Sequence, residues 1–301
     1  MKNLLEKLFI LFLSSLLGAF LLQTLYSWQT EIRDPEEDWL RRQRDRKASL
    51  DTICQKDTFS KGKPNPQVAG QIFVDECHNF IYCEVPKVGC SNWKKIILLL
   101  TLNLSRDVLE VDHDRVHRTH LLRRLSSYPS DQQVKLLNSS IKVMFTRHPL
   151  ERLVSAYRDK LLHFEPFYVS VAKRIKTLFR GNPNSTDPVT FQEFVNFVLK
   201  HAPKDLDIHW KPMFMLCDPC NIHYDILGKY ETLGEDADHV LRRIGAPDDL
   251  QYPDFKRYGT EKRTNSNITL NYFSKLSKDQ VQKLKDLYSI DFSSFNYSFH
   301  F

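Results

Sequence analysis

The stretch IYCEVPKVGCSNWKK, residues 81–95, decides the fold. A short apolar run from Ile81 to Val85 gives way to Pro86-Lys87-Val88-Gly89-Cys90-Ser91, and from Asn92 to about Leu102 the apolar residues recur at helical spacing. That is strand, loop, helix. The same grammar returns at IKVMF (141–145), followed by the turn Thr146-Arg147-His148-Pro149. A helix is expected from Glu151 to Leu162, with apolar residues at 153, 154, 157, 161 and 162. A third strand is expected at YDILGKY (224–230), leading into a helix from about Glu235 to Ile244. Phe191 to Leu199 reads as an amphipathic helix. Strands alternating with helices predict an α/β domain, a central parallel sheet flanked by helices, with ligand sites beyond the carboxyl ends of the strands.

Both loops have the chemistry of an anion site. In the first, the backbone N–H groups that open a helix point outward, and the helix dipole favours an anion there. Gly89 lets the backbone approach a phosphate, Ser91 and Asn92 add side-chain donors, and Lys87 can stabilise charge on a leaving phosphate. In the second, Arg147 leaves the strand end and Ser155 lies eight residues on, with Arg152 and Arg158 nearby, a set suited to a phosphate dianion. Neither loop is a Walker A loop, because G-x-x-x-x-G-K-[ST] is absent. This argues against a P-loop kinase.

At the amino end, LFILFLSSLLGAFLLQTLYSW (8–28) carries no charge for 21 residues, enough to cross a hydrocarbon core of about 30 Å. Lys2 and Lys7 precede it and an acidic segment follows, so the terminus is expected in the cytoplasm and the body in the lumen. A cleaved signal peptide is the rival reading, but the run is longer than an ordinary signal core and ends in bulky residues. Five Asn-x-Ser/Thr triplets, at Asn103, Asn138, Asn184, Asn267 and Asn296, agree with a lumenal body as glycosylation candidates. So do six cysteines, which allow 15 pairings that spacing alone does not resolve. Cys217 and Cys220 could instead form half a zinc site, but no second pair at finger-like spacing accompanies them, and no metal is expected.

The expected organisation is therefore a cytoplasmic tail (1–7), a transmembrane signal-anchor (8–28), a lumenal stem (29–70) and a catalytic domain (71–301). The stem is charge-rich, and its RRQRDRK at 41–47 reads as a solvated run that also fits a basic-protease site. Only nine glycines argues against a glycine-rich β architecture, and the net charge of +6 suits a polyanionic partner; nucleic acid is excluded for a lumenal domain.

Together, PKVGCSNWK and RHPLERLVSAYRDK resemble the 5′-phosphosulfate and 3′-phosphate motifs of sulfotransferases that use PAPS (3′-phosphoadenylyl sulfate). The resemblance covers about residues 71–301. It points to the Golgi carbohydrate branch that includes the HNK-1, chondroitin 4-O and GalNAc 4-O enzymes, with CDPCNIHYDILGKYETLGEDA (217–237) and DFSSFNYS (291–298) in the same style.

It implies a P-loop-like PAPS sulfotransferase fold and a Golgi type II membrane protein. Pro86, Lys87, Val88, Gly89, Cys90, Ser91 and Asn92 would hold the 5′-phosphosulfate. Arg147, His148, Pro149, Leu150, Glu151, Arg152, Leu153, Val154 and Ser155 would hold the 3′-phosphate, with Arg147 and Ser155 as direct contacts. One residue more than in cytosolic relatives separates the glycine from the tryptophan, so the roles of Ser91 and Asn92 do not transfer atom by atom.

The implied reaction is an in-line displacement on sulfur, with Lys87 as a catalytic cation and no metal required. A base must take the acceptor's proton: His117 is the first candidate and His209 the second. The expected acceptor is a glycan hydroxyl, O-4 of GalNAc in chondroitin/dermatan or in GalNAc-terminated N-glycans. Sulfation of another sugar position (glucuronate 3-O, as in HNK-1 synthesis) and a non-catalytic lumenal glycan-binding protein are the alternatives. Arg123, Arg124, Lys173, Arg174 and Lys176 could track a polyanion. Expected partners are the glycan acceptor and the membrane, with a homodimer allowed.

Overall fold

The computed structural model describes residues 15, 17–21, 23, 34–55, 64–104, 107–253 and 260–299. The chain divides into two compact units, 1–45 and 46–301. In the first, the described residues of the apolar run (15, 17–21 and 23) are helical, while the rest of the expected 8–28 span and the 1–7 tail lie outside the described residues. No helix among the described residues is long and apolar enough to cross a membrane.

Helix α1 (Pro35–Cys54) begins in the first unit and ends in the second. The second unit continues with β1 (Ile72–Asp75), β2 (Phe80–Cys83), α2 (Cys90–Leu102), α3 (His113–Arg118), β3 (Ile141–Thr146) and α4 (Pro149–Tyr157). After these come α5 (Val169–Arg180), α6 (Phe191–Leu199), β4 (Ile226–Lys229), α7 (Leu233–Arg243), α8 (Ser266–Phe273) and α9 (Lys278–Leu287).

The strands form one sheet in the order β1-β2-β3-β4. β2 pairs parallel with β3, Cys83 opposite Met144, and β3 pairs parallel with β4, Thr146 opposite Lys229. The sheet is mixed, not wholly parallel as expected, because β1 runs antiparallel to β2. Residues 76–79 alone join those two strands, too short a connection for a parallel crossover, and Asn79 closes the turn at φ 48°. The expectation of three strands missed β1.

The core explains why the two loops share one edge. Trp93 of α2 is fully buried and lies on the sheet, its ring 5.5 Å from Tyr82 and 5.3 Å from Phe145. Truncating such a ring costs about 3–5 kcal/mol. β4 can pass under Phe145 only because Gly228 has no side chain, since a Cβ there would fall 2.3 Å from that ring. Helices α4 and α6 bury Leu153, Val154, Phe194 and Val198 in a second apolar cluster with Trp210 and Tyr288. Thr190 and Glu193 form a reciprocal cap at the start of α6.

Residues 46–70 of the expected stem belong to the second unit. Arg46 donates to the Leu227 carbonyl (2.7 Å), to Asp236 (2.9 Å) and to Thr232 (3.0 Å). Cys54 is disulfide-bonded to Cys220, and Cys83 of β2 to Cys217; Cys77 and Cys90 are free thiols. Cys217 and Cys220 are thus each committed to a different partner rather than facing a shared ion. All five sequon asparagines are exposed.

Candidate functional site

The first loop folds back on itself at two left-handed residues, Lys87 (φ 73°) and Gly89 (φ 81°), before α2 begins. Lysine adopts that conformation only when its surroundings hold it there. Here they do. Arg152 donates from Nε to the Pro86 carbonyl (3.0 Å), Arg147 to the Lys87 carbonyl (3.0 Å), and the Tyr252 hydroxyl to the Gly89 carbonyl (3.0 Å). Asn92 reaches away to the Pro253 carbonyl at 3.0 Å.

The loop's carbonyls are therefore held by neighbouring donors. No side chain caps α2, so the N–H groups of its first turn keep their anion-binding capacity. Tyr252 packs so close to Gly89 that a Cβ there would meet its hydroxyl at 2.2 Å. Val88 is in the core, and burial pushes the Cys90 thiol up, leaving it protonated.

The second loop lies directly against the first. Arg147, 2% exposed, packs its guanidinium over the Tyr230 ring (3.9 Å) and also donates to the Thr264 carbonyl. Its Nε is buried without a hydrogen-bond partner, and Glu151 stands 3.7 Å from its Nη2. Burial pushes the Glu151 carboxyl up, with Arg147 acting against it. The backbone N–H of His148 donates to Glu231 (3.1 Å), and its Nε2 lies 3.1 Å from the Ser298 carbonyl. Pro149 starts α4, and Ser155 lies half-buried further along it. Leu150, Leu153 and Val154 face the core.

Arg152, 1% exposed, directs its guanidinium to three carbonyls, Pro86, Ile208 (2.7 Å) and Lys211 (2.7 Å). It fastens the first loop from behind. Arg158 likewise holds the 261–264 segment, through Thr264 (2.8 Å) and Glu261 (3.1 Å).

Both candidate bases lie near the first loop. His117 lies between the Ser91 hydroxyl (Nε2, 3.1 Å) and Lys94 (Nδ1, 3.1 Å). Lys94 in turn pairs with buried Glu84, which also takes Arg124 at 2.9 Å. Burial opposes ionisation of Glu84, and the two cations outweigh it, keeping the carboxyl below its usual range.

His209 is tied to the loop through the preceding residue, since Arg152 donates to both the Ile208 and the Pro86 carbonyls. Its Nδ1 is 2.8 Å from Asp207 and 2.7 Å from the Tyr168 hydroxyl. Burial lowers its pKa, Asp207 opposes this, and the charges of Lys160 and Lys87 lower it further. Lys87 of the loop pairs with Asp159 (2.9 Å), which also takes Lys160 (3.2 Å). Burial alone would raise Asp159; the two lysines bring its carboxyl down to about 2. Burial also lowers Lys87, against Asp159.

Sequence reasoning did not find Tyr252, Thr264, Asp159, Tyr168 or Asp207. Tyr252, Thr264 and Tyr168 come from segments distant from the residues they meet, which leaves no local pattern to read, whereas Asp159 lies inside RHPLERLVSAYRDK and Asp207 two residues before His209.

The model described as "Sulfotransferase family" matches residues 70–298. Carbohydrate sulfotransferase 8 of Mus musculus is 40% identical over 266 residues, covering 85% of this chain and 64% of that protein. Carbohydrate sulfotransferase 9 of Homo sapiens is 40% identical over 238 residues, covering 76% and 53%. Carbohydrate sulfotransferase 11 of Rattus norvegicus is 37% identical over 246 residues, covering 77% and 68%. The chain thus spans about half to two thirds of the length of these curated relatives. No solved structure matches it.

Proposed function

Because the chain belongs to the sulfotransferase family, we propose that it transfers a sulfuryl group from PAPS to a glycan hydroxyl, at O-4 of a GalNAc residue. The observation that carries this reading is the 3.0 Å hydrogen bond from Arg147 to the Lys87 carbonyl. It joins the two anion loops, which supports the reading that they grip opposite ends of one bisphosphorylated nucleotide.

The residues present fit that donor. The capless start of α2 and Lys87 suit the 5′-phosphosulfate, and the orphaned Nε of buried Arg147 lacks the acceptor that a 3′-phosphate oxygen provides, with Ser155 on the adjoining helix. PAPS when bound supplies an activated sulfuryl group. The chain's own work is positioning and charge stabilisation. Lys87, handed over from Asp159, meets the negative charge that develops on the leaving side, in a site preorganised by Arg152 and Tyr252.

His209 is the better-placed base. Asp207 engages Nδ1, which fixes the tautomer with its lone pair on Nε2, whereas both ring nitrogens of His117 meet partners in Lys94 and Ser91. His117 then orients Ser91 in the donor loop. A Golgi lumenal location behind an 8–28 anchor accords with two disulfides and five exposed sequon asparagines.

The test is transfer of labelled sulfate from PAPS to chondroitin, desulfated dermatan, GalNAc-terminated oligosaccharides and glucuronate-terminated glycans. Sulfate at O-4 of GalNAc is the expected product. Absence of transfer to every acceptor, with PAPS failing to raise the melting temperature, sinks the proposal.

A further inference from the structure

Beneath the donor loop a carboxylate and an ammonium are buried together. Glu84, 4% exposed, follows β2, and Lys94, 5% exposed, lies in the second turn of α2. The two pair directly, and Arg124 adds a second cation to Glu84 at 2.9 Å. The Phe73 ring packs against both cations, its centroid 5.6 Å from Lys94 and 4.3 Å from Arg124. A buried ion pair contributes little net stability over apolar side chains of the same volume. This one leads back to the loop. Lys94 Nζ lies 3.1 Å from Nδ1 of His117, and Nε2 of His117 lies 3.1 Å from the Ser91 hydroxyl in the first turn of α2.

We propose that Glu84 and Lys94 are positioning residues that act through His117 to set the direction of the Ser91 hydroxyl, presenting its hydrogen to the phosphosulfate of the donor. The proposal deepens the sulfotransferase reading and rests on it for the identity of the anion that Ser91 meets.

The direction follows from counting donors. An ammonium has three N–H donors and no acceptor, so Nδ1 of His117 meets Lys94 with its lone pair. The neutral ring then carries its hydrogen on Nε2, and that N–H donates to the Ser91 oxygen. With its oxygen receiving, the Ser91 hydroxyl turns its own hydrogen away from the ring. Ser91 stands at the second position of a helix whose start no side chain caps, so that hydrogen joins the first-turn N–H groups in meeting an anion. The opposite tautomer, with its hydrogen on Nδ1, would accept the Ser91 hydrogen at Nε2 and withhold it from the donor. Glu84, kept ionised by its two cations, holds Lys94 in line and so excludes that tautomer.

The experiment uses the full chain in detergent micelles. Ring-nitrogen chemical shifts of His117, assigned by their loss in His117→Gln, report the tautomer at neutral pH without nucleotide. Hydrogen on Nε2 is expected; hydrogen on Nδ1, or on both nitrogens, overturns the proposal. Lys94→Met and the isosteric Glu84→Gln should each admit the Nδ1–H form, and Glu84→Gln keeps this arm decisive where Lys94→Met does not fold. An unaltered tautomer in the folded variants overturns the role given to the pair. Titration with 3′,5′-ADP reads the consequence. The amide of His117→Gln puts an N–H in the place of Nε2–H and should keep affinity within about twofold, whereas His117→Asn reaches only the place of Nδ1 and should lose about tenfold, like His117→Ala. Ser91→Ala should lose about tenfold as well, and adding His117→Ala to it should cost nothing more. Equal losses in the two amide variants, or losses that multiply in the double variant, overturn the relay. Wild type that binds no 3′,5′-ADP and transfers no sulfate removes the sulfotransferase reading, while the hydrogen-bond direction stands or falls by the nucleotide-free spectrum.

Discussion

Arg152→Met separates a residue that holds the donor loop from one that touches the donor. The guanidinium is buried and makes three hydrogen bonds, at 3.0, 2.7 and 2.7 Å, to the carbonyls of Pro86, Lys211 and Ile208. Hydrogen bonds from a charged donor contribute about 1.5 kcal/mol each at the low end, so their loss removes about 4–5 kcal/mol. Methionine also relieves the desolvation of a buried cation, which already lowers the pKa of Arg152, and fills much of the vacated volume. The net destabilisation should be about 2–4 kcal/mol. At roughly 2–4 °C per kcal/mol for a unit of this size, the melting temperature falls by about 4–15 °C. Calorimetry and urea titration without nucleotide read this directly, with 3′,5′-ADP affinity measured in parallel by titration. An unchanged melting temperature joined to a hundredfold loss of nucleotide affinity would refute the reasoning and place Arg152 on the donor.

Gly89→Ala should abolish donor binding: left-handed alanine costs about 1–2 kcal/mol, and its Cβ would meet the Tyr252 hydroxyl at 2.2 Å. Adding Tyr252→Phe should restore part of the loss, and wild-type affinity in the single variant would contradict the packing described. Asp159→Asn withdraws the charge that offsets the burial of Lys87, so donor affinity should begin to fall at a lower pH than in wild type; titrations across pH that superimpose would dismiss the pairing. Burial pushes Asp291 up to about 6, against the Phe214 and Met213 N–H groups that donate to it and against the charge of Arg152. Its protonated form favours the fold fully below about pH 4, and that contribution is lost as pH rises to about 6, a difference of about 3 kcal/mol. From urea titrations, the unfolding free energy of wild type should fall relative to that of Asp291→Asn by that amount between about pH 4 and about pH 7; a constant difference would show that the carboxyl titrates alike folded and unfolded.

Much of the frame was legible because its signals are local. The runs at 81–85, 141–145 and 224–230 each overlap a strand, and Phe191–Leu199 is the helix its periodicity indicates. Ile72–Asp75 escaped notice: four apolar-to-acidic residues with no loop motif beside them look like nothing until β2 offers a partner. Helix α1 was hidden for the opposite reason. Its polar sequence carries no stripe, and its attachment in the second unit depends on an arginine, Arg46, finding Asp236 some 190 residues away.

In the site, the loops announced themselves, but their fastening did not. A backbone carbonyl such as that of Ile208 or Thr264 carries no residue identity to read. The choice between His117 and His209 likewise turns largely on neighbours from elsewhere in the chain, Tyr168 for one, Ser91 and Lys94 for the other, while Asp207 lies only two residues before His209.

The Cys54–Cys220 bond changes what a protease can accomplish. Hydrolysis anywhere in residues 56–63 severs the backbone and releases nothing, since the upstream fragment stays sulfur-linked to the rest. Liberation of a free body without reduction requires a cut ahead of Cys54, and the arginines at 41–44 lie on that side, ahead also of the buried Arg46 that ties α1 to Asp236. A secreted form, if cells make one, should therefore begin in that basic run and carry the end of α1 with it.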